Sequence, residues 1–358
     1  MGSSKPDGRL YWADIVKALL IFFVVIGHAA SPYNGYIYLF HVPGFFFISG
    51  YLTKIETGSV WEFFIKKTRT LLLPYFCINI LFFLIHYLFS FTPFGSLFFK
   101  SQMTWNGLLD GLVRFIRYTA TTEIGGASWF LLALFHASVL TKIVVSITRH
   151  FRSKGYLQAF LCLLIYIVSC YLHAKRIFLP YIFDLGLHAS FYYFIGYYFR
   201  KHNIFQVGIN HIYAVSVSVF ILFFFTNIRW APMNWPTRDF TVPINLFSSL
   251  AGVYLCYIAA KWIEKGKLPC QIAAYIGQRT LSILLFHFMG FKVFFLLMFL
   301  LGRMPASQIS EIVLPYPNDT WFLAGVFGIV FSLFLERQIR RYDKLSLWLL
   351  GSGKAVAG

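Results

Sequence analysis

Charged side chains are scarce in this sequence. Asp, Glu, Lys and Arg make up 12% of its 358 residues, whereas an average soluble domain has about 25%. A water-soluble fold of this size is therefore excluded, because polar residues must coat its outside. Cysteine is also rare, and the five cysteines form neither a CxxC pair nor a Cys/His metal spacing. The sequence thus predicts no disulfide framework and no metal site.

Acidic residues are the scarcest charged class, and 31 Lys and Arg residues against 13 Asp and Glu residues give a formal net charge of +18. Such an excess raises the alternative of nucleic-acid binding. The basic residues lie in short loops, however, and no recognisable nucleic-acid module accompanies them. This pattern indicates that the basic residues orient a membrane protein in the bilayer and attract anionic lipid. Membrane lipid is therefore the expected partner, and nucleic acid is not.

Long apolar runs fill the chain, which is 58% hydrophobic and contains 43 Phe residues. A helix needs about 20 apolar residues to cross the hydrocarbon core, where each backbone polar group must be satisfied within the segment. Ten stretches meet this need, at roughly 11–31, 36–53, 71–91, 127–148, 157–174, 181–199, 208–228, 243–263, 280–302 and 319–336. The first is interrupted by Asp14 and Lys17 and lacks a convincing cleavage pattern, so it predicts a retained span.

Basic residues are unevenly divided between the two sides of these spans. With the N-terminus inside, 20 Lys and Arg residues fall in inside segments and 8 in outside segments. Short cytoplasmic loops carry such an excess, so both termini are predicted to be cytoplasmic. The expected fold is an all-α polytopic bundle forming a single domain over 1–358, with the bundle at about 10–341 and a cytoplasmic tail at 342–358. The outside stretches 92–126 and 229–242 are expected to form partial lids.

Three ionisable residues lie in the first predicted span: Asp14, Lys17 and His28. An ionisable residue inside a span costs a few kcal/mol on insertion scales, so each of the three calls for a reason. Eleven residues at about 100° each return to within about 20° of the start, so Lys17 and His28 share a face about 16 Å apart. One interpretation is that Asp14 and Lys17 pair near the interface while His28 caps the outer end. The other is a polar channel, in which Lys17 anchors an anionic ligand and His28 is a general base.

The second predicted span, at 36–53, contains His41 directly before Val42, Pro43 and Gly44. A proline there predicts a helix break, which exposes backbone groups and is tolerated at membrane depth only beside protein or a watery cavity. His41 has two possible roles, a structural hydrogen bond or a part in catalysis. Its nearness in sequence to His28 indicates that the two imidazoles line one cavity.

Six segments occur in order along the chain: DIVKALLIFFVVIGHA, FHVPGFFFISGYL, KKTRTLLLPYF, SWFLLALF, FIGYYFRK and IGQRTLSILLFHF. Together they resemble the landmarks of the membrane acyltransferase family 3, especially its fucose 4-O-acetylase-like branch. That family is marked by a basic residue and a histidine separated by ten residues in the first helix. Most members have arginine there, whereas this chain has Lys17 before His28. Lysine keeps the positive charge but lacks the planar guanidinium that can bind an anion through two parallel hydrogen bonds.

The resemblance implies transfer of an acyl group, commonly acetyl from acetyl-CoA, to a hydroxyl of a glycan or glycolipid, and a location in the bacterial inner membrane. His28 matches the essential histidine and is the expected base, with Asp14 and His41 as further catalytic candidates. Lys17, Arg69 and Tyr75 are the candidates for binding the coenzyme. Substrate contacts are expected from Ser49, Trp129 and His287. An acyl-histidine intermediate remains an alternative.

A membrane transporter or glycan exporter is the competing function, because ten spans with ionisable residues at membrane depth suit it as well. No paired inverted repeat is visible in the sequence. Transfer from acyl-CoA by the purified protein distinguishes the two, since a pure exporter lacks it.

Overall fold

A computed structural model describes residues 10–206, 210–228, 244–312 and 319–352 of the chain. Within these ranges the regular structure is helical, with no strand. The α-helices are α1 Tyr11–His28, α2 Asn34–Ile37, α3 His41–Leu52, α4 Val60–Lys67, α5 Leu73–Phe89, α6 Gly95–Phe98, α7 Trp105–Tyr118, α8 Trp129–Thr148, α9 Lys154–Ala174, α10 Phe183–Lys201, α11 His211–Ile228, α12 Ile244–Ile263, α13 Lys267–Gly277, α14 Thr280–Leu300, α15 Trp321–Ile339 and α16 Asp343–Leu350.

Seven helical stretches of the described residues are long and apolar enough to cross a membrane. They are Tyr11–His28, Val60–Phe89, Trp105–Thr148, Lys154–Ala174, Asn245–Ile263, Thr280–Leu300 and Trp321–Ile339. The polytopic all-α fold is therefore confirmed, while the count of ten spans and the side of each terminus stay predictions. Of the two predicted lids, 92–126 contains the helix α7, and 229–242 lies outside the described residues.

The second predicted span divides into the short α2 and the twelve-residue α3. Pro43 lies in the first turn of α3, where a proline is tolerated because the first backbone N–H groups of a helix have no intrahelical partner. The helix thus begins at His41 rather than breaking in the middle of a longer span. This position puts His41 at a helix start, beside the end of α1.

Helix α1 is the centre of the bundle and packs against α3, α12, α13, α14 and α15. Eleven of its apolar residues and glycines are buried, and so is Asp14. Close approach is achieved at glycines: a Cβ on Gly277 of α13 would collide with the backbone carbonyl of Asp14. Helix α1 is therefore surrounded by neighbouring helices on several sides.

Helices α3 and α10 also touch backbone to backbone. A Cβ on Gly50 would overlap the carbonyl of Tyr193, and a Cβ on Gly196 would overlap the carbonyl of Phe47. These two glycines allow the helices to approach closely, because small residues let membrane helices meet at short range.

Replacing Gly50 by alanine is expected to destabilise the bundle by about 1–3 kcal/mol or more, the range for overpacking a tight interior. Thermal unfolding in detergent, followed by size-exclusion chromatography, measures the loss. Gly155→Ala is the matched control, since a Cβ on Gly155 meets nothing within 4 Å. Equal unfolding temperatures for the two variants would contradict the backbone contact.

A buried lysine fastens the loop after α3 to α8. Lys142 is 1% exposed, and its ammonium donates hydrogen bonds to the carbonyls of Ile55, Thr57 and Gly58 at 2.8, 2.9 and 2.8 Å. Three acceptors satisfy the three donors of an ammonium group. The same loop leads into α4, which begins with a capping box between Ser59 and Glu62. Lys142 therefore holds the loop in position, and its ammonium group is bound by protein carbonyls.

Candidate active site

A cavity of about 440 Å³ runs beside the polar face of α1. Its walls come from α1, α3, α8, α14 and the 3₁₀ helix Glu123–Ser128. Five of the residues predicted from the sequence line it: Lys17, His28, His41, Ser49 and Trp129. The volume lies within the range of about 300–1,000 Å³ that is typical of pockets for small molecules. The structure thus joins the basic end and the histidine end of α1 in one space.

At one end of the cavity, the ammonium of Lys17 lies 2.8 Å from a carboxylate oxygen of Asp14, and their side chains are 23% and 10% exposed. Lys17 lines the cavity, whereas Asp14 does not. The two interpretations of this face are therefore both met in part, since Lys17 pairs with Asp14 and still faces the cavity. Asp14 is placed to position Lys17 rather than to take part in proton transfer at His28, about 20 Å along the helix.

At the other end, His28 meets His287 of α14. Nδ1 of His28 lies 2.9 Å from Nε2 of His287, and the two rings are parallel to within 7° with centroids 5.1 Å apart. His287 is fully buried and does not line the cavity. It was predicted to contact the substrate, but the structure places it behind His28 as its hydrogen-bond partner.

The hydrogen bonds of His287 determine the tautomers of the pair. Nδ1 of His287 lies 2.9 Å from the carbonyl oxygen of Ile283, and a carbonyl can only accept, so this nitrogen carries the proton. A neutral imidazole with a proton on Nδ1 has an unprotonated Nε2. This Nε2 accepts the Nδ1–H of His28. The remaining nitrogen of a neutral His28, Nε2, is therefore unprotonated and has the lone pair that a general base needs.

His41 is also held by a main-chain contact. Its Nδ1–H donates to the carbonyl of Ile37 at 2.7 Å, and its ring packs edge-on against Tyr38 with centroids 4.9 Å apart. The same tautomer argument leaves Nε2 of His41 as an acceptor. Both roles left open for His41 are compatible with this geometry, since the structural hydrogen bond uses one nitrogen and leaves the other.

Two predicted coenzyme-binding residues lie outside the cavity lining. Arg69 is exposed on the π-helical turn Thr68–Leu72, and only its neighbour Leu71 reaches the cavity. Tyr75 is 1% exposed and packs against Phe76 and Phe115 with centroids 5.2 and 5.4 Å away. Their proposed coenzyme contacts have no support from this geometry.

Glu123 lines the cavity and was not recognised from the sequence. It begins the 3₁₀ helix Glu123–Ser128, which is anchored by a 2.9 Å hydrogen bond from Nδ2 of Asn79 to the hydroxyl of Ser128. The negative charge of Glu123 acts on Lys100 and Lys292. The sequence did contain a signal for Glu123, because it is one of only 13 acidic residues and lies just before an apolar run.

Chemically, the cavity offers a cation, two imidazoles with free acceptor nitrogens, a serine hydroxyl and a carboxylate. These groups suit proton transfer and the binding of a polar ligand with an anionic part. In the part of the chain that the structure describes, no group of three or more His, Cys, Asp or Glu side chains could hold a metal ion.

Comparisons with known proteins extend these observations. A family model described as an acyltransferase domain matches residues 10–349. The nodulation protein NolL of Mesorhizobium japonicum is 29% identical over 153 residues, which are 38% of this chain and 36% of that protein. NolL of Sinorhizobium fredii is 31% identical over 158 residues, 39% of this chain and 38% of that protein. The matched region thus spans less than two fifths of each relative, and no solved structure matches the chain.

Proposed function

This chain belongs to the acyltransferase 3 family, as its six segments indicated, and from that premise we propose that it moves an acetyl or other short acyl group from acyl-CoA to a hydroxyl of a glycan or glycolipid. The supporting observation is that Lys17 and His28 line one cavity, while the pairing of His28 with His287 leaves Nε2 of His28 unprotonated. We further propose that the whole chain is one membrane domain located in the bacterial inner membrane.

His28 is the proposed general base. A sugar hydroxyl is a weak nucleophile, so Nε2 of His28 takes its proton as the hydroxyl oxygen bonds to the thioester carbonyl carbon. The carbon–sulfur bond then breaks, and the imidazolium of His28 returns the proton to the departing thiolate. The products are an ester and a free thiol, and no other reactant is needed.

His287 supports this step by holding His28 in the productive tautomer. Its Nε2 accepts the Nδ1–H of His28 at 2.9 Å, and this bond becomes stronger when His28 gains a positive charge. His287 is itself fixed by Ile283. The pair therefore resembles the base and the orienting group of other acyl-transfer sites, with an imidazole in place of a carboxylate.

His41 is the proposed partner for a hydroxyl of the acceptor near the base, since its Nε2 can accept a hydrogen bond. Ser49 lies eight residues further along α3, about 12 Å away, so its hydroxyl is a proposed hydrogen-bond partner for the part of the ligand nearer Lys17. Both side chains line the same cavity as His28. Trp129 adds an aromatic wall of the kind that packs on apolar faces of a ligand.

The donor is proposed to enter at the Lys17 end. The walls between Lys17 and His28 are mostly aliphatic and aromatic, and include Ile21, Val24 and Leu284. Such a path suits the flexible arm of acyl-CoA, while Lys17 supplies a point charge for a phosphate. The distance of about 16 Å along α1 makes an extended donor necessary.

Removing the charge of Lys17 is expected to raise the KM for acyl-CoA by about tenfold or more, because a hydrogen bond to a charged group contributes about 1.5–3 kcal/mol. Lys17→Met alone would also remove the ammonium that pairs with Asp14, so the double variant Asp14→Asn/Lys17→Met is compared with Asp14→Asn. Steady-state kinetics with each substrate varied in turn measures the effect. Lys17→Arg is expected to retain binding, and an unchanged donor KM in the double variant would remove Lys17 from the donor site.

The overall proposal is tested with the protein purified in detergent or nanodiscs, acetyl-CoA, and a panel of glycans. Release of free thiol and an ester on the glycan, both detected by mass spectrometry, are the expected results. Glycan movement across vesicles without any thioester cleavage would instead favour the transporter alternative.

A further inference from the structure

A second cavity, of about 180 Å³, lies where the loop after α3 and the last turns of α8 and α10 meet the first two turns of α9. Four cations and one carboxylate line it: Lys142, Arg149, Lys154, Lys201 and Glu56. The charge bias of the sequence predicts that this end faces the cytoplasm. The cavity shares no lining residue with the one that holds His28.

The positive charges of this cavity are only partly neutralised. Lys201 forms an ion pair of 2.9 Å with Glu56, and Lys142 donates to three carbonyls, which satisfy its hydrogens without cancelling its charge. Arg149 and Lys154 have no ion pair with a carboxylate within the described ranges. Four cations against one carboxylate leave an excess of three positive charges among the lining residues, which favours an anionic ligand.

Exposed apolar side chains that suit lipid lie close in sequence to the lining residues of α8 and α9. Ile147 of α8, Phe151 of the following turn, and Tyr156 and Phe160 of α9 are each more than half exposed. Helices α8 and α9 both belong to stretches that are able to cross the membrane. Acyl chains can therefore lie along these helices while a head group reaches the cations.

We propose that this cavity binds the phosphate of an anionic phospholipid, with Arg149 and Lys154 as the contacting cations. Basic pockets between membrane helices on the cytoplasmic side are suited to such head groups. The volume is below the range of about 300–1,000 Å³ for drug-sized molecules, so it accommodates a small anionic group. Gln158, which is 3% exposed, adds a buried polar wall.

The test compares the variant Arg149→Gln/Lys154→Gln with the control Arg152→Gln/Lys344→Gln. Both pairs remove two exposed cations, but Arg152 and Lys344 do not line the cavity. Native mass spectrometry of the full chain, released from nanodiscs of phosphatidylglycerol or of phosphatidylcholine, counts the retained lipids. We expect the parent and the control to retain phosphatidylglycerol, and the Arg149/Lys154 variant to retain about tenfold less.

Equal retention by the two double variants, or equal retention of phosphatidylcholine and phosphatidylglycerol by the parent, would overturn the proposal. A further arm adds adenosine 3′,5′-bisphosphate, which carries the phosphate chemistry of the donor without an acyl chain. Displacement of the retained phosphatidylglycerol by this nucleotide at micromolar concentration would assign the site to the donor and overturn the lipid assignment. Persistence of the bound lipid supports it.

Discussion

Replacing His28 by alanine is expected to lower kcat for acyl transfer by about 10²- to 10⁴-fold, the range for loss of a positioned general base. Nε2 of His28 is the unprotonated nitrogen of the His28–His287 pair, and His28 lines the cavity that also holds Lys17. Among the described residues that line this cavity, His28 alone is hydrogen-bonded to a second imidazole. Initial rates of thiol release, with both substrates at saturation, measure the loss.

His211→Ala is the matched control, because His211 is exposed and hydrogen-bonds to Tyr254 on the surface of another helix pair. Both variants are expected to be inserted and to elute as the parent does in size-exclusion chromatography. Full activity of a well-folded His28→Ala variant would remove His28 from the mechanism. A labelled acyl group recovered on His28 after rapid quenching would replace base catalysis by an acyl-histidine route.

The second large effect is expected at His287, which acts through His28 as a positioning residue. His287→Phe keeps an aromatic ring but removes the acceptor for Nδ1–H of His28. A group that orients a metal-binding histidine contributes about 10- to 100-fold, and we expect kcat to fall by a similar factor here. The KM for acyl-CoA is expected to stay unchanged, because Lys17 is about 16 Å away along α1.

His287→Gln distinguishes orientation from mere packing. The amide oxygen of glutamine can accept the Nδ1–H of His28, so part of the activity is expected to return. Equal losses in the Phe and Gln variants, or a matching rise in the donor KM, would instead indicate a general disturbance of the α1–α14 contact. Unfolding temperatures of both variants provide the stability control.

The sequence predicted what depends on local geometry. Lys17 and His28 share a face because a helix of 3.6 residues per turn puts them there, and both line one cavity. The all-α membrane fold follows from apolar length and scarce charge.

Features that depend on tertiary packing could not be predicted from the sequence. His287 was identified as a site residue, but its position behind His28 depends on how α14 packs on α1. Glu123 lies on a 3₁₀ helix whose placement depends on the Asn79–Ser128 hydrogen bond. Similarly, no periodicity could show that Tyr75 packs against Phe115, away from the cavity.

The hydrogen bond between His28 and His287 joins residues 259 positions apart in the chain. During synthesis, α1 enters the membrane long before α14 has been translated, so the proposed base has no orienting partner for most of that time. Domains generally form as their residues emerge, and contacts between distant residues form late. Catalytic competence is thus expected only near the end of translation, so chains truncated before α14 are expected to insert into the bilayer without acquiring the ability to cleave a thioester.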